Sequence, residues 1–405
     1  MLRGALATLE RRDPEQAGAA EEAVGWLAWR ESEDEPLFFG QHSLQTFLWY
    51  VLPSKWDAPE DGLVAVARAL GDLLETAGAP DRYVALCRSR DTQRLLRTGG
   101  DGFDELMESS GLEPPDTPFV EWGDIMTLEE SAEREAVSLH LEAAIDEGRL
   151  EPGATGWRER QREVTEAFLL TADESGSTPR ERVREARIAY WLGPSGRAGG
   201  LDDDRRSLCS ALLPLLEQEP DAEAASLALD PLLWLLDRCA DGAKLTATNA
   251  LARRLVQQAV ERYPAWYPRE FGRPPHREMD VPPLELLHDF AFELRLVRRR
   301  RDELVLTRRG RELRADPRAL LRLVANELAE GIDSEDELAL ALIAAGRDTE
   351  SPDVPMLAAM GVAWLLHPFA GFTNRIWEET SPTEGGKTLA LAILRARATG
   401  PTRVW

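Results

Sequence analysis

Apolar residues recur at helical spacing along almost the whole chain. Within 60–77, Leu63, Val66, Ala67, Leu70, Leu73 and Leu74 follow an i, i+3, i+4, i+7 rhythm. That is the stripe of an amphipathic helix with one face in a core. Gly78 and Pro80 end it, since glycine accepts a left-handed C-cap and proline cannot continue a helix. A second helix is predicted over 127–148, where Thr127 and Glu130 form a capping box and Gly148 closes the segment. Similar stripes predict helices over 155–172, 179–192, 205–217, 221–240, 246–262, 317–330, 334–345, 353–366 and 386–398. Alternating β-branched runs are nearly missing, so the pattern predicts a mostly α protein.

The pattern breaks most sharply at Gly193-Pro-Ser-Gly-Arg-Ala-Gly-Gly200, followed by three aspartates. Such a stretch cannot continue a helix and has little to bury. It predicts an acidic helical domain over 1–192, a Gly/Pro/Asp linker over 193–204 and a second helical domain over 205–405. No repeat of 20–50 residues marks a solenoid. Six prolines between 264 and 283 predict a long loop.

Strand pattern surfaces at 296–307, where two short apolar runs flank a charged turn, and Thr307 fits the N-cap of a following helix. Upstream, 284–294 reads as a compact apolar helix. Leu245-Thr246, Asp280-Val-Pro-Pro-Leu284, Leu296-Val297, Leu304-Val-Leu-Thr-Arg-Arg-Gly310 and Asp316-Pro317 resemble a C-terminal module in uncharacterised proteins of high-GC bacteria. The Leu-x-Leu-Thr-x-x-Gly run is similar to the wing of winged-helix regulators. The resemblance covers residues 243–330 and implies a winged-helix-like module with one short β-hairpin inside the second domain, followed by a C-terminal helical extension. It departs from a DNA-reading helix-turn-helix in one respect: the proline-rich 264–283 stands where a short helix should directly precede the recognition helix.

Composition changes this picture in two ways. The 405 residues carry 48 basic and 72 acidic side chains, a net charge of −24, and residues 1–150 alone sum to −18 with 31 acidic and 13 basic groups. Residues 295–314 run the other way, with nine arginines against three acidic residues, a net of +6. Only three lysines accompany 45 arginines, a high-GC codon bias, so arginine abundance is not itself a sign of phosphate recognition. No apolar run reaches the ~18 residues of a membrane span, and the N-terminus lacks a secretory signal, which predicts a cytoplasmic protein.

Candidate chemistry is sparse. If the module docks on DNA, Arg298, Arg299, Arg300 and Arg301 contact the backbone, supported by Arg308 and Arg309. The alternative is that these arginines solvate a hairpin and pair with the protein's own carboxylates. Trp26, Trp29, Trp49 and Trp56, beside Glu31, Glu33, Asp34 and Glu35, either fill a core or line a groove for a protein partner.

Gly-Gly-Lys-Thr at 385–388 lacks the leading glycine and strand of a phosphate loop, and reads as a break opening the last helix. Glu285 and His288 share a helical face, with His276, Glu278 and Asp280 nearby, but no second Glu-x-x-His exists for a di-iron bundle. Ser195 sits in an incomplete nucleophile elbow. Cys209 and Cys239 lie on apolar faces, while Cys87 reads as more exposed. No catalytic residue, metal ligand or cofactor is assigned. These features favour a non-enzymatic interaction or regulatory protein whose module docks on DNA or protein while the acidic domain binds protein. The rival is an enzyme of unrecognised type with a pocket between the two domains.

Overall fold

The computed structural model describes residues 2–27, 40–123, 126–193, 203–267, 272–332, 334–346, 362, 365–369 and 383–400. Helix dominates them, as the apolar rhythm predicts, and the sheet among them is small. The chain divides into two compact units, Met1–Val183 and Arg184–Trp405. Residues 194–202 of the expected linker, and most of the helix expected over 353–366, lie outside the described residues.

The first unit comprises α1 (Leu2–Glu10), α2 (Pro14–Leu27), α3 (Gln41–Thr46), α4 (Leu52–Lys55), α5 (Glu60–Ala77), α6 (Asp81–Cys87), α7 (Arg90–Thr98), α8 (Phe103–Ser110), α9 (Leu128–Asp146) and α10 (Trp157–Leu169). The anticipated stripe of α5 is buried, and its C-cap is Gly78 at φ 73°, a conformation strained for any residue with a Cβ. Thr127 caps α9 by accepting from the Glu130 backbone N–H at 3.1 Å. Buried Glu142 of α9 ties three elements together. It accepts from the Gln41 N–H at 2.9 Å, the Tyr83 hydroxyl at 2.8 Å and Arg82 Nε at 3.0 Å.

The division between the units falls within α11 (Pro179–Leu192). The second unit continues with α12 (Asp203–Glu217), α13 (Ala222–Ala228), α14 (Asp230–Ala240), β1 (Ala243–Lys244), α15 (Arg253–Arg262), α16 (Pro282–Glu293), β2 (Val297–Arg300), β3 (Glu303–Leu306), α17 (Arg308–Arg314), α18 (Pro317–Glu330), α19 (Ser334–Ala344) and α20 (Glu384–Thr399). Two expected helices are shorter than their stripes. The 221–240 stripe is broken at Leu229 into α13 and α14, and 246–262 becomes a loop before α15 begins at Arg253.

The final helix, α20, packs against α13, α18 and α19, and Gly385 and Gly386 open it behind a Thr383 cap. A Cβ on Gly385 would stand 2.9 Å from the Leu227 carbonyl oxygen, so this glycine permits close helix packing. Fully buried Arg187 caps the other end of α20 by donating to the carbonyls of Ala398 and Thr399 at 2.9 and 2.8 Å.

Candidate docking surface

Residues 230–314 run helix, strand, helix, helix, strand, strand, helix, and the antiparallel sheet has the order β1-β3-β2. Val297 opposes Leu306 and Arg299 opposes Leu304, while Arg298 opposes Val305 and Arg300 opposes Glu303. Side chains alternate across a strand, so Arg299 shares the face of buried Leu304 and Leu306, and Arg298 and Arg300 point to the opposite face. The run of arginines is therefore not one surface.

The hairpin closes tightly at Arg301, φ 55°, and its tip is tied to β1 by Lys244, which meets Asp302 at 3.2 Å and Glu303 at 3.0 Å. Hydrogen bonds from Lys244 hold both carboxyls below their ordinary range and raise the lysine in return. Arg300 also meets Glu303, at 3.2 Å, Arg308 pairs with Glu312 at 2.8 Å, and Arg299 Nε donates to the Arg301 carbonyl at 3.1 Å. Arg298 and Arg309 are exposed and make no ion pair among the described residues.

Behind the hairpin, Thr307 caps α17 by accepting from the Gly310 N–H at 2.9 Å, as anticipated, and its own N–H donates to Leu296 O at 2.9 Å. A Cβ on Gly310 would lie 1.9 Å from the Leu296 carbonyl oxygen. The glycine of the Leu-x-Leu-Thr-x-x-Gly run is thus a packing requirement, since backbone passes where a side chain would begin.

Helix α16 lies beside this hairpin. Pro282 at its start has no N–H to satisfy, and Leu284, Leu287 and Ala291 face the core. The opposite face carries Glu285, Leu286, Asp289, Phe292 and Glu293, all exposed, with Phe292 54% and Leu286 46% accessible. No lysine or arginine lies within α16.

On one flank of α16 is a cleft of about 380 Å³, walled by Glu285, His288, Asp289 and Phe292 of the helix and by Asn249 and Arg299. Its floor is organised by Glu278, which is 3% exposed. One Glu278 oxygen accepts from the Leu251 N–H at 2.6 Å and the other meets His288 Nδ1 at 2.8 Å. The sequence spacing pointed to Glu285 as the carboxylate paired with His288; the structure pairs it with Glu278 instead. Asp280 accepts from the His276 and Arg277 N–H groups at 3.0 and 2.9 Å, and these bonds lower its pKa. Among the described residues no group of three or more His, Cys, Asp or Glu could hold a metal ion. On the other flank of α16, a groove of about 260 Å³ is apolar, formed by Leu286, Phe290, Leu328, Leu365, Pro368 and Phe369, with Asp289 and Glu293 at its edge.

The remaining candidate residues are dispersed. Trp49 is in the core of the first unit and its indole N–H donates to Thr92 Oγ1 at 2.8 Å. Trp56 is half-buried edge-on to Phe47, Trp26 is exposed, and Trp29 lies outside the described residues. Ser195 lies outside them too. Cys87, expected to be more exposed, is buried. Burial pushes the Cys87 and Cys239 thiols up to about 12 and Cys209 up to about 11, so none is an activated nucleophile.

Residues 231–319 match the family model of the Y4jL N-terminal domain. The match begins in α14 and ends at the start of α18, bracketing the three-stranded sheet and α16. A relative is the uncharacterised protein y4jL of Sinorhizobium fredii, 32% identical over 135 residues, which are 29% of this chain and 57% of that protein. The chain thus spans a little over half the length of the curated relative it matches. No solved structure matches the chain.

Proposed function

We propose that the chain is a non-enzymatic docking protein in which residues 231–319 form a winged-helix-like module that binds a protein partner through α16. The order of helices and strands, with β1 paired outside β3, supports this reading, in which α16 takes the part of the recognition helix. The observation that carries the choice of protein over DNA is the solvent face of α16. Glu285, Asp289 and Glu293 on a helix without a lysine or arginine would meet phosphates with like charge. The interleaved Leu286 and Phe292 suit a protein surface. The first unit adds negative charge, with residues 1–150 at −18, and in this reading discourages nucleic acid and receives a protein of its own. Buried free cysteines agree with a cytoplasmic setting, where thiols stay reduced.

Two measurements on the full chain test this. Fluorescence anisotropy with random-sequence duplex DNA should show no salt-sensitive binding at micromolar protein. A photo-crosslinking amino acid at Leu286 should trap one stoichiometric protein in the native host, while the same group at exposed Leu227 traps none. Tight DNA binding that weakens with salt overturns the proposal.

A further inference from the structure

The two flanks of α16 have different chemistry. The apolar groove offers Leu286, Phe290, Leu328 and Leu365 to a hydrophobic side chain. The cleft on the other side offers acceptors. Glu285 and Asp289 bring carboxylates to its wall, and buried Glu278 lies at its floor. Glu278 occupies Nδ1 of His288, so Nε2 is the polar atom the imidazole has left for a ligand. Nε2 makes no hydrogen bond among the described residues, although His288 lines the cleft. Phe292 adds a half-exposed aromatic ring at the same wall. Three carboxylates and a ring face select a group that donates hydrogen bonds and carries positive charge. Arg299 of the hairpin also lines the cleft, and its like charge directs a cationic head toward the carboxylates of α16. The volume, about 380 Å³, is at the small end of ligand-sized cavities, which run to roughly 300–1,000 Å³.

Resting on the docking reading above, we propose that the partner of α16 is a basic, apolar segment that inserts an arginine or lysine side chain into this cleft and an apolar side chain into the groove across the helix. Charge complementarity selects this occupant: the solvent face of α16 carries Glu285, Asp289 and Glu293 and no basic residue. The inserted cation is the anchor of the contact, desolvated between His288, Glu285 and Asp289, and the exposed rim excludes water around it.

The test uses the full chain with N-acetyl-arginine amide as the probe and N-acetyl-citrulline amide as its neutral isostere, followed by NMR titration. The arginine probe should bind in the millimolar range, at least tenfold tighter than citrulline, and weaken as salt rises. A Glu285→Gln/Asp289→Asn double variant should lose the arginine preference at least tenfold. Both residues are exposed, and an unchanged thermal melt shows that the fold is intact. Equal binding of the two probes, or an arginine affinity unchanged in the double variant, overturns the inference. Failure here is distinguishable from failure of docking. If Leu286 still crosslinks its partner equally well in the double variant, docking stands and the basic anchor falls. If Leu286 crosslinks nothing but arginine selectivity vanishes in the double variant, the cleft stands and docking falls.

Discussion

Removing the Glu278 carboxylate tests how the docking surface is held together. Its two oxygens join the loop before α15, at Leu251 N–H, to α16, at His288 Nδ1. Hydrogen bonds to a charged group are worth about 1.5–3 kcal/mol each. Glu278→Ala should therefore lose about 3–6 kcal/mol, because both bonds go and the buried Leu251 N–H is left without its acceptor. Glu278→Gln keeps an oxygen for Leu251 and offers an N–H to His288 Nδ1, so its loss should be nearer ~1–2 kcal/mol. Two units make a single unfolding free energy ill-defined, so the readout is local. Hydrogen exchange at the Leu251 amide should accelerate by roughly two orders of magnitude or more in Glu278→Ala and far less in Glu278→Gln. Unchanged exchange at Leu251 in Glu278→Ala would refute the view that this carboxylate staples the cleft.

Three other outcomes are expected. Gly310→Ala forces backbone apart at a 1.9 Å approach, so it should cost at least the ~3 kcal/mol upper end of overpacking; thermal melts that match the parent contradict this. Neither ring nitrogen of buried His367 is hydrogen-bonded among the described residues, and burial lowers its pKa from 6.5 to about 4. Its depressed value means the unfolded chain binds the proton more readily. The associated stability is fully present above pH 6.5 and is lost as pH falls toward 4, by about 3 kcal/mol. Urea midpoints measured from pH 7 to 4.5 should fall less steeply in His367→Leu, and parallel slopes would exclude this residue as a source. The three cysteine thiols, all buried and raised to about 11–12, should resist iodoacetamide at pH 8 in the native chain and react after denaturation, counted by mass spectrometry.

What the sequence by itself determined was local. The stripe of α5, the Gly78 C-cap, and the threonine caps at 127 and 307 depend on residues within a turn or two of each other, and each was legible for that reason. The hairpin at 297–306 was legible too, because its strands are adjacent in sequence. The tertiary structure decided the rest through contacts between residues far apart along the chain. β1 has two residues, too few to show a period, and exists because it pairs with β3 some sixty positions later. The first turns of the helix expected over 246–262 are a loop instead, closed by a bridge between Leu245 and Leu251. Spacing put Glu285 with His288, but a 3-10 turn at Glu278–Asp280 brings Glu278 to the imidazole. A one-dimensional run of arginines became two faces once strand register fixed which side each occupies. Trp49 entered the core because Thr92, from a different helix, accepts its N–H there. Helical rhythm is set by neighbours along the chain, whereas the acidic and apolar face of α16 gains its meaning from the cleft and groove that distant segments build beside it.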